Sequence, residues 1–242
     1  SLSAIRKFEV CYGSKVHKLS ELFTISGNNF NDIKIINSNS RMDNIGSNLE
    51  NKRLTIHGDV GYGLAKNMSS GQIHLYGNAG KNACSGMSGG SVYINGNAGD
   101  GLCSLPTGLN QGLVDGFIYV KKNVGSNSIV RMRRGNIVIG GSIGSYSCLE
   151  LISGSITILG KIGSGFCHNA RRGTIITKDK SMSREFIRAN NTDLTFFNFY
   201  KIKINQILNK NIINCSEPLR YFGTKSDRKL IEIFIIWKVT SS

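Results

Sequence analysis

Glycine returns every 19 residues through the middle of this 242-residue chain, and that spacing constrains the fold more than any other feature. Gly71, Gly90, Gly116, Gly135, Gly154 and Gly173 occupy one position of the period, with a single interval of 26 between Gly90 and Gly116. Two residues after each comes an aliphatic: Ile73, Val92, Ile118, Ile137, Ile156 and Ile175. Four after come Leu75, Ile94, Val120, Ile139 and Ile158, with Thr177 closing the series. Such alternation is the mark of a short half-buried strand. Further glycines follow six after (Gly77, Gly96, Gly141, Gly160, with Lys122 as the exception) and nine after (Gly80, Gly99, Gly125, Gly144, Gly163). Lys52, Leu54, Ile56, Gly58 and Val60 set the same register one coil earlier.

One such coil cannot bury its own aliphatic row, but stacked coils place equivalent residues in columns and build a continuous core. The predicted fold is all-β: a parallel β-helix of 19-residue coils over residues 52–177. Residues 1–51 supply N-terminal strands and a degenerate capping coil, and residues 178–242 a small helix and strand cap. Three glycines in 19 residues exclude a helical solenoid. The missing Asn and helical half exclude a leucine-rich repeat, and hexapeptide β-helices have a different beat.

Residues that attract chemical stories fall into the columns. Cys84, Cys103, Cys148 and Cys167 share one position with Ala65 and Ile129, so they read as packed small hydrophobes. Met68, Met87 and Met132 are likewise core. His17, His57, His74 and His168 lie in unrelated places without ligand spacing, so neither a metal site nor a catalytic residue is expected. The glycines do not lead into helices, as a phosphate cradle requires. With acids so sparse in the repeat, a self-contained β-helix enzyme has no carboxylate cluster to work with.

The net charge of +15 implies an acidic partner. The repeat region contributes +8 and holds only Asp59, Asp100, Asp115 and Glu150 as acids. Arg131, Arg133 and Arg134 lie two coils before Arg171 and Arg172 in the same register, so Arg133 should stack over Arg171 and Arg134 over Arg172. With Lys161 these form a candidate edge for docking a polyanion or an acidic protein face, using the fork geometry of Arg. A nucleic-acid binder would want aromatic platforms beside them, whereas Tyr and Phe concentrate in the tail, so nucleic acid is not an expected partner.

The extra residues of the long interval, Ser104 to Gly112, predict a loop projecting from one corner. Phe186 to Ile213 reads as helical, and Leu230 to Ile236 as a closing strand. The apolar run Ile231 to Trp237 is too short to span a membrane. Residues 1–7 show no export signal, and six cysteines without close pairs fit reduced thiols, so a cytoplasmic location is expected.

Two stretches carry a family resemblance: Arg133-Arg134-Gly135-Asn136-Ile137-Val138-Ile139 and Gly154-Ser155-Ile156-Thr157-Ile158-Leu159-Gly160 resemble the GXGXG β-helix family. Together with Lys18–Gly27, Ala98-Gly99-Asp100 and Glu217-Pro218-Leu219-Arg220-Tyr221-Phe222-Gly223, they make the chain similar to the β-helical GXGXG subunit of formylmethanofuran dehydrogenase. The tail favours its counterpart in the bacterial formyltransferase/hydrolase complex. Departures are Asn110-Gln111-Gly112-Leu113, in place of a basic-Gly-Met run, and Lys122. The resemblance implies a scaffold with no cofactor of its own. Hydrolase, formyltransferase and dehydrogenase-like subunits would be its partners, handling tetrahydromethanopterin and a methanofuran-type carrier in methylotrophic formaldehyde oxidation. The carrier's poly-glutamate tail would be a polyanion for the basic edge. The GXGXG domain of the glutamate synthase large subunit is the alternative within this fold, though it normally continues a much larger chain.

Overall fold

Alternating aliphatic residues after each corner glycine do form a strand in every coil. The fold was obtained as a computed structural model that describes residues 5–27, 29–184, 186–189, 193–224 and 230–236; the expectations for residues 1–4 and for Trp237 fall outside these. The chain opens with an antiparallel hairpin, β1 (Glu9–Tyr12) and β2 (Lys15–Lys18), and one turn of helix, α1 (Leu19–Leu22). Then β3 (Asp32–Ser38), β4 (Arg53–Gly58), β5 (Gln72–Tyr76), β6 (Ser91–Ile94), β7 (Phe117–Val120), β8 (Asn136–Ile139), β9 (Ser155–Ile158) and β10 (Arg172–Thr177) stack in order as parallel neighbours. Register follows the columns: Ile73 pairs with Val92, Val92 with Ile118, Ile118 with Ile137 and Ile137 with Ile156.

A second side of each coil is marked by single parallel bridges, running from Val60 through Ala79, Ala98, Val124 and Ile143 to Ile162. Between these sides runs a ladder of side-chain caps. The Asp59 carboxylate accepts from the Asn78 amide at 2.7 Å, and the Asn78 side chain from the Asn97 amide at 2.8 Å. Asn97, Asn123 and Ser142 continue the pattern up to the Lys161 amide. Each cap satisfies a backbone donor that the turn leaves unpaired.

The third side carries a run the glycine pattern does not announce. Ala65, Cys84, Cys103, Ile129, Cys148 and Cys167 all adopt left-handed backbone, at φ 55–61°. Tyr146, Arg131 and Glu150, on neighbouring columns of the same side, do so too. Conformations disfavoured for side chains with a Cβ are held here by inter-coil hydrogen bonds, such as the Cys84 amide to Leu64 and the Cys103 amide to Ala83.

The glycine columns divide by cause. Gly71 has φ +93°, so a side chain there would be strained. Gly77 is there for proximity, since a Cβ would lie 2.0 Å from the Gly58 carbonyl oxygen.

Inward columns are sealed. Ile73, Val92, Ile118, Ile137, Ile156 and Ile175 are fully buried, as are Met68, Met87, Met132 and Leu151. Leu113, beyond the insertion, fills the methionine column where the interrupted coil would otherwise leave a gap, and it too is fully buried.

The tail departs from its expected form. The segment from Phe186 is not continuously helical: Phe186–Arg188 is a strand, β11, and the helix α2 spans only Thr195–Leu208. Pairing of β11 with β12 (Leu219–Thr224) overrides local helical preference there. The closing strand β13 (Leu230–Ile235) lies where expected and joins β10 in parallel, extending the sheet at the solenoid's end. Helix α2 packs on the outer face of the sheet, where Phe197, Tyr200 and Ile204 meet Phe117, Tyr119, Val138, Ile176 and Phe234. Burial pushes the Tyr200 phenol up, while its contact with the Thr157 hydroxyl works the other way.

Candidate functional site

The basic edge is built by register. The Ile152 amide donates to Met132 and the Arg171 amide to Leu151, so Arg133, Ile152 and Arg171 form one column. Arg134 and Arg172 occupy the next. Arg133, Arg134, Arg171 and Arg172 are exposed.

The candidate set then separates. Arg131 is half-buried and pairs with Glu150 one coil on, at 2.8 Å, while its Nε donates to the Asn110 carbonyl at 2.7 Å. Arg133 reaches the Gln111 side chain at 3.4 Å. Both therefore pin the inserted loop back onto the solenoid. Gly112 sits so tightly that a Cβ would lie 2.3 Å from the Val130 carbonyl oxygen. Arg134, Arg171 and Arg172 have no ion pair among the described residues and remain a cationic edge. Lys161 stands apart, at the end of the Asn-type cap ladder. Its charge acts on Asp179. Burial alone would raise that carboxyl, but hydrogen bonds from Ile162 and Ser181, with Lys161, hold it below the usual range.

The cysteine column is chemically quiet. Burial pushes the Cys103 and Cys148 thiols well above their ordinary value, and each lies against the thiol of an adjacent coil, Cys84 and Cys167 respectively. Neutral buried thiols are poor nucleophiles and poor ligands. Among the described residues no group of three or more His, Cys, Asp or Glu could hold a metal ion, and no described helix is long and apolar enough to cross a membrane.

Aromatic residues are not confined to the tail. On the outer face of the early coils, His57 stacks on Tyr76 and His74 on Tyr93, with ring centroids 4.8 and 4.5 Å apart. Burial, with a smaller effect of Arg53, lowers the His74 pKa and favours its neutral ring. The sequence carried the signal for this row, because His74, Tyr93 and Tyr119 each follow their coil glycine by three. Beside it, His74, Tyr93 and Tyr119 line an open pocket of about 310 Å³ bordered by Ile207 and Leu208 at the end of α2 and by Lys210 just after it.

No protein-family model matches the chain. No curated protein matches it either. Among solved structures, it is similar to a chain in the crystal structure of the formyltransferase/hydrolase complex from Methylorubrum extorquens in complex with methylofuran. The match covers 98% of this chain and 90% of that one, at 26% identity and a TM-score of 0.84. The resemblance read from the repeat is thus met by a structure of that complex, over the hairpin, solenoid and tail alike.

Proposed function

We infer that a chain sharing its fold end to end with a component of a formyltransferase/hydrolase complex is the β-solenoid subunit of such a complex. That whole-length match is the observation that carries the reading. In this role the chain contributes form and contact. Partner subunits carry out formyl transfer between tetrahydromethanopterin and a methanofuran-type carrier, and release formate, within one-carbon oxidation in the cytoplasm.

The sealed columns support a structural role. The cysteines of the coils are spent on packing in the core, and Asn78 and Asn123 on backbone amides. What faces outward is charge. Arg134, Arg171 and Arg172 fit a polyanion, and the poly-glutamate tail of the carrier is the ligand this reading assigns to them.

Purifying the tagged chain from its host tests the assembly. Hydrolase and formyltransferase subunits should co-elute with it, whereas a chain that purifies alone would contradict the reading. Substituting Arg171→Ala with Arg172→Ala should weaken carrier binding several-fold at low salt and leave it unchanged near 1 M, where the Debye length falls to about 3 Å. An affinity equal to wild type at low salt would remove these arginines from the carrier's path.

A further inference from the structure

We infer that the outer face of α2 is the docking surface for a different subunit, one that presents an apolar patch rimmed by carboxylates. This rests on the reading of the chain as a subunit of a larger complex.

Helix α2 is apolar on both sides. Phe197, Tyr200 and Ile204 point into the sheet. At 3.6 residues per turn, Phe199 and Ile202 lie on the opposite side, and they are 64% and 55% exposed. Phe196 and Ile207 flank the buried face and are also exposed. A helix that ends its packing at the surface ordinarily turns polar residues outward. Helix α2 has Asn198 and Gln206 for that purpose yet sets Phe199 and Ile202 among them, and an exposed apolar strip of this kind marks a contact surface.

Charge selects the occupant. The sequence of α2 contains no Asp or Glu, while Lys203 and Lys210 border the strip from the helix and the turn after it. At its N-terminal end, Phe196 shares a cleft with Arg172, Thr174 and Glu232. Glu232 already pairs with Arg220 and Arg172 belongs to the edge assigned to the carrier, so the charges that select this partner are those of Lys203 and Lys210. A second copy of this chain would bring another +15 against the same lysines. An acidic-rimmed surface meets both the apolar strip and the charges around it, and exposed aromatic residues such as Phe196 and Phe199 are of a type enriched at interfaces. At its C-terminal end the strip meets the open pocket beside His74 and Tyr93, so the surface has shape as well as chemistry.

The test is reconstitution of the full-length chain with co-expressed hydrolase, formyltransferase and dehydrogenase-like subunits, read by size-exclusion chromatography. Phe199→Ser with Ile202→Ser should leave the isolated chain folded, with the circular dichroism of wild type, and reduce its incorporation at least tenfold. Lys203→Glu, which removes no packing, should reduce incorporation several-fold at low salt and serves alone if the double variant fails to fold. Incorporation of these variants at the wild-type level would overturn the proposal and leave the subunit reading standing. A wild-type chain that pairs with itself through this face, with pairing abolished by the variants, would overturn the choice of partner. A wild-type chain that stays outside the assembly would overturn both readings.

Discussion

Tyr146 occupies a position where φ is +54°, and its neighbours in the column are Asn127, also left-handed, and Gly165. A side chain with an ordinary Cβ gives up on the order of 1 kcal/mol in that conformation, whereas Asn bonds locally and tolerates it. The ring is 57% exposed and contributes little packing. Replacing Tyr146 by Asn should therefore stabilise the chain by roughly 0.5–1 kcal/mol, visible as a higher urea midpoint at an unchanged slope. An unchanged or lowered midpoint would mean that the ring's contact over Gly165 outweighs the backbone strain. The left-handed Cys column beside Tyr146 was not legible in the sequence. Its positions hold Ala, Cys and Ile, which do not announce the conformation, whereas the two flanking columns did carry a signal in Asn82, Gly101, Asn127 and Gly165 and in Asn67, Gly86 and Asn169. The inward columns were legible because burial selects one chemical type per column and repeats it. Leu113 lay between the two cases. It precedes Gly116 by three, as Met68 precedes Gly71, but the inserted loop hides the register.

Among the elements, the N-terminal hairpin differs most from the coils. No described residue from 5 to 27 is buried, and Phe8 and Val16 are largely exposed. A lone two-stranded hairpin is marginal in water, so β1 and β2 should be weakly held in the isolated chain. Hydrogen exchange on the isolated chain should find their amides protected far less than those of β5 to β9. Equal protection across both would show a hairpin stable by itself. The leading strands are legible in the sequence but their exposure is not, because alternation shows that a strand has two faces without showing what covers either. The tail repeats the lesson. β13 was legible from its unbroken apolar run, whereas β11 reads locally as helix because its strand state comes from pairing with β12, more than thirty residues away. The clamp of Arg131 and Arg133 on the loop was hidden for the same reason, since the loop falls outside the period.

For the whole molecule, the coils form one stack continuous with its closing strand, and the inward columns are occupied by packing. What the solenoid leaves outside is a basic edge, an aromatic row and an apolar helix face, the materials of contact. The period made the stack legible at once. The surfaces were legible only in part, because the arginines share a column but the exposed side of α2 depends on which side the sheet covers. The central claim is that the chain gives the complex its form while chemistry belongs to its partners. Formate release from the formylated carrier decides this, measured with the complete complex, with the other subunits alone and with this chain alone. The expected result is turnover by the complete complex, a loss of assembly and of most turnover when this chain is left out, and none from the chain by itself. Formate release by the isolated chain, or full activity without it, would contradict the claim.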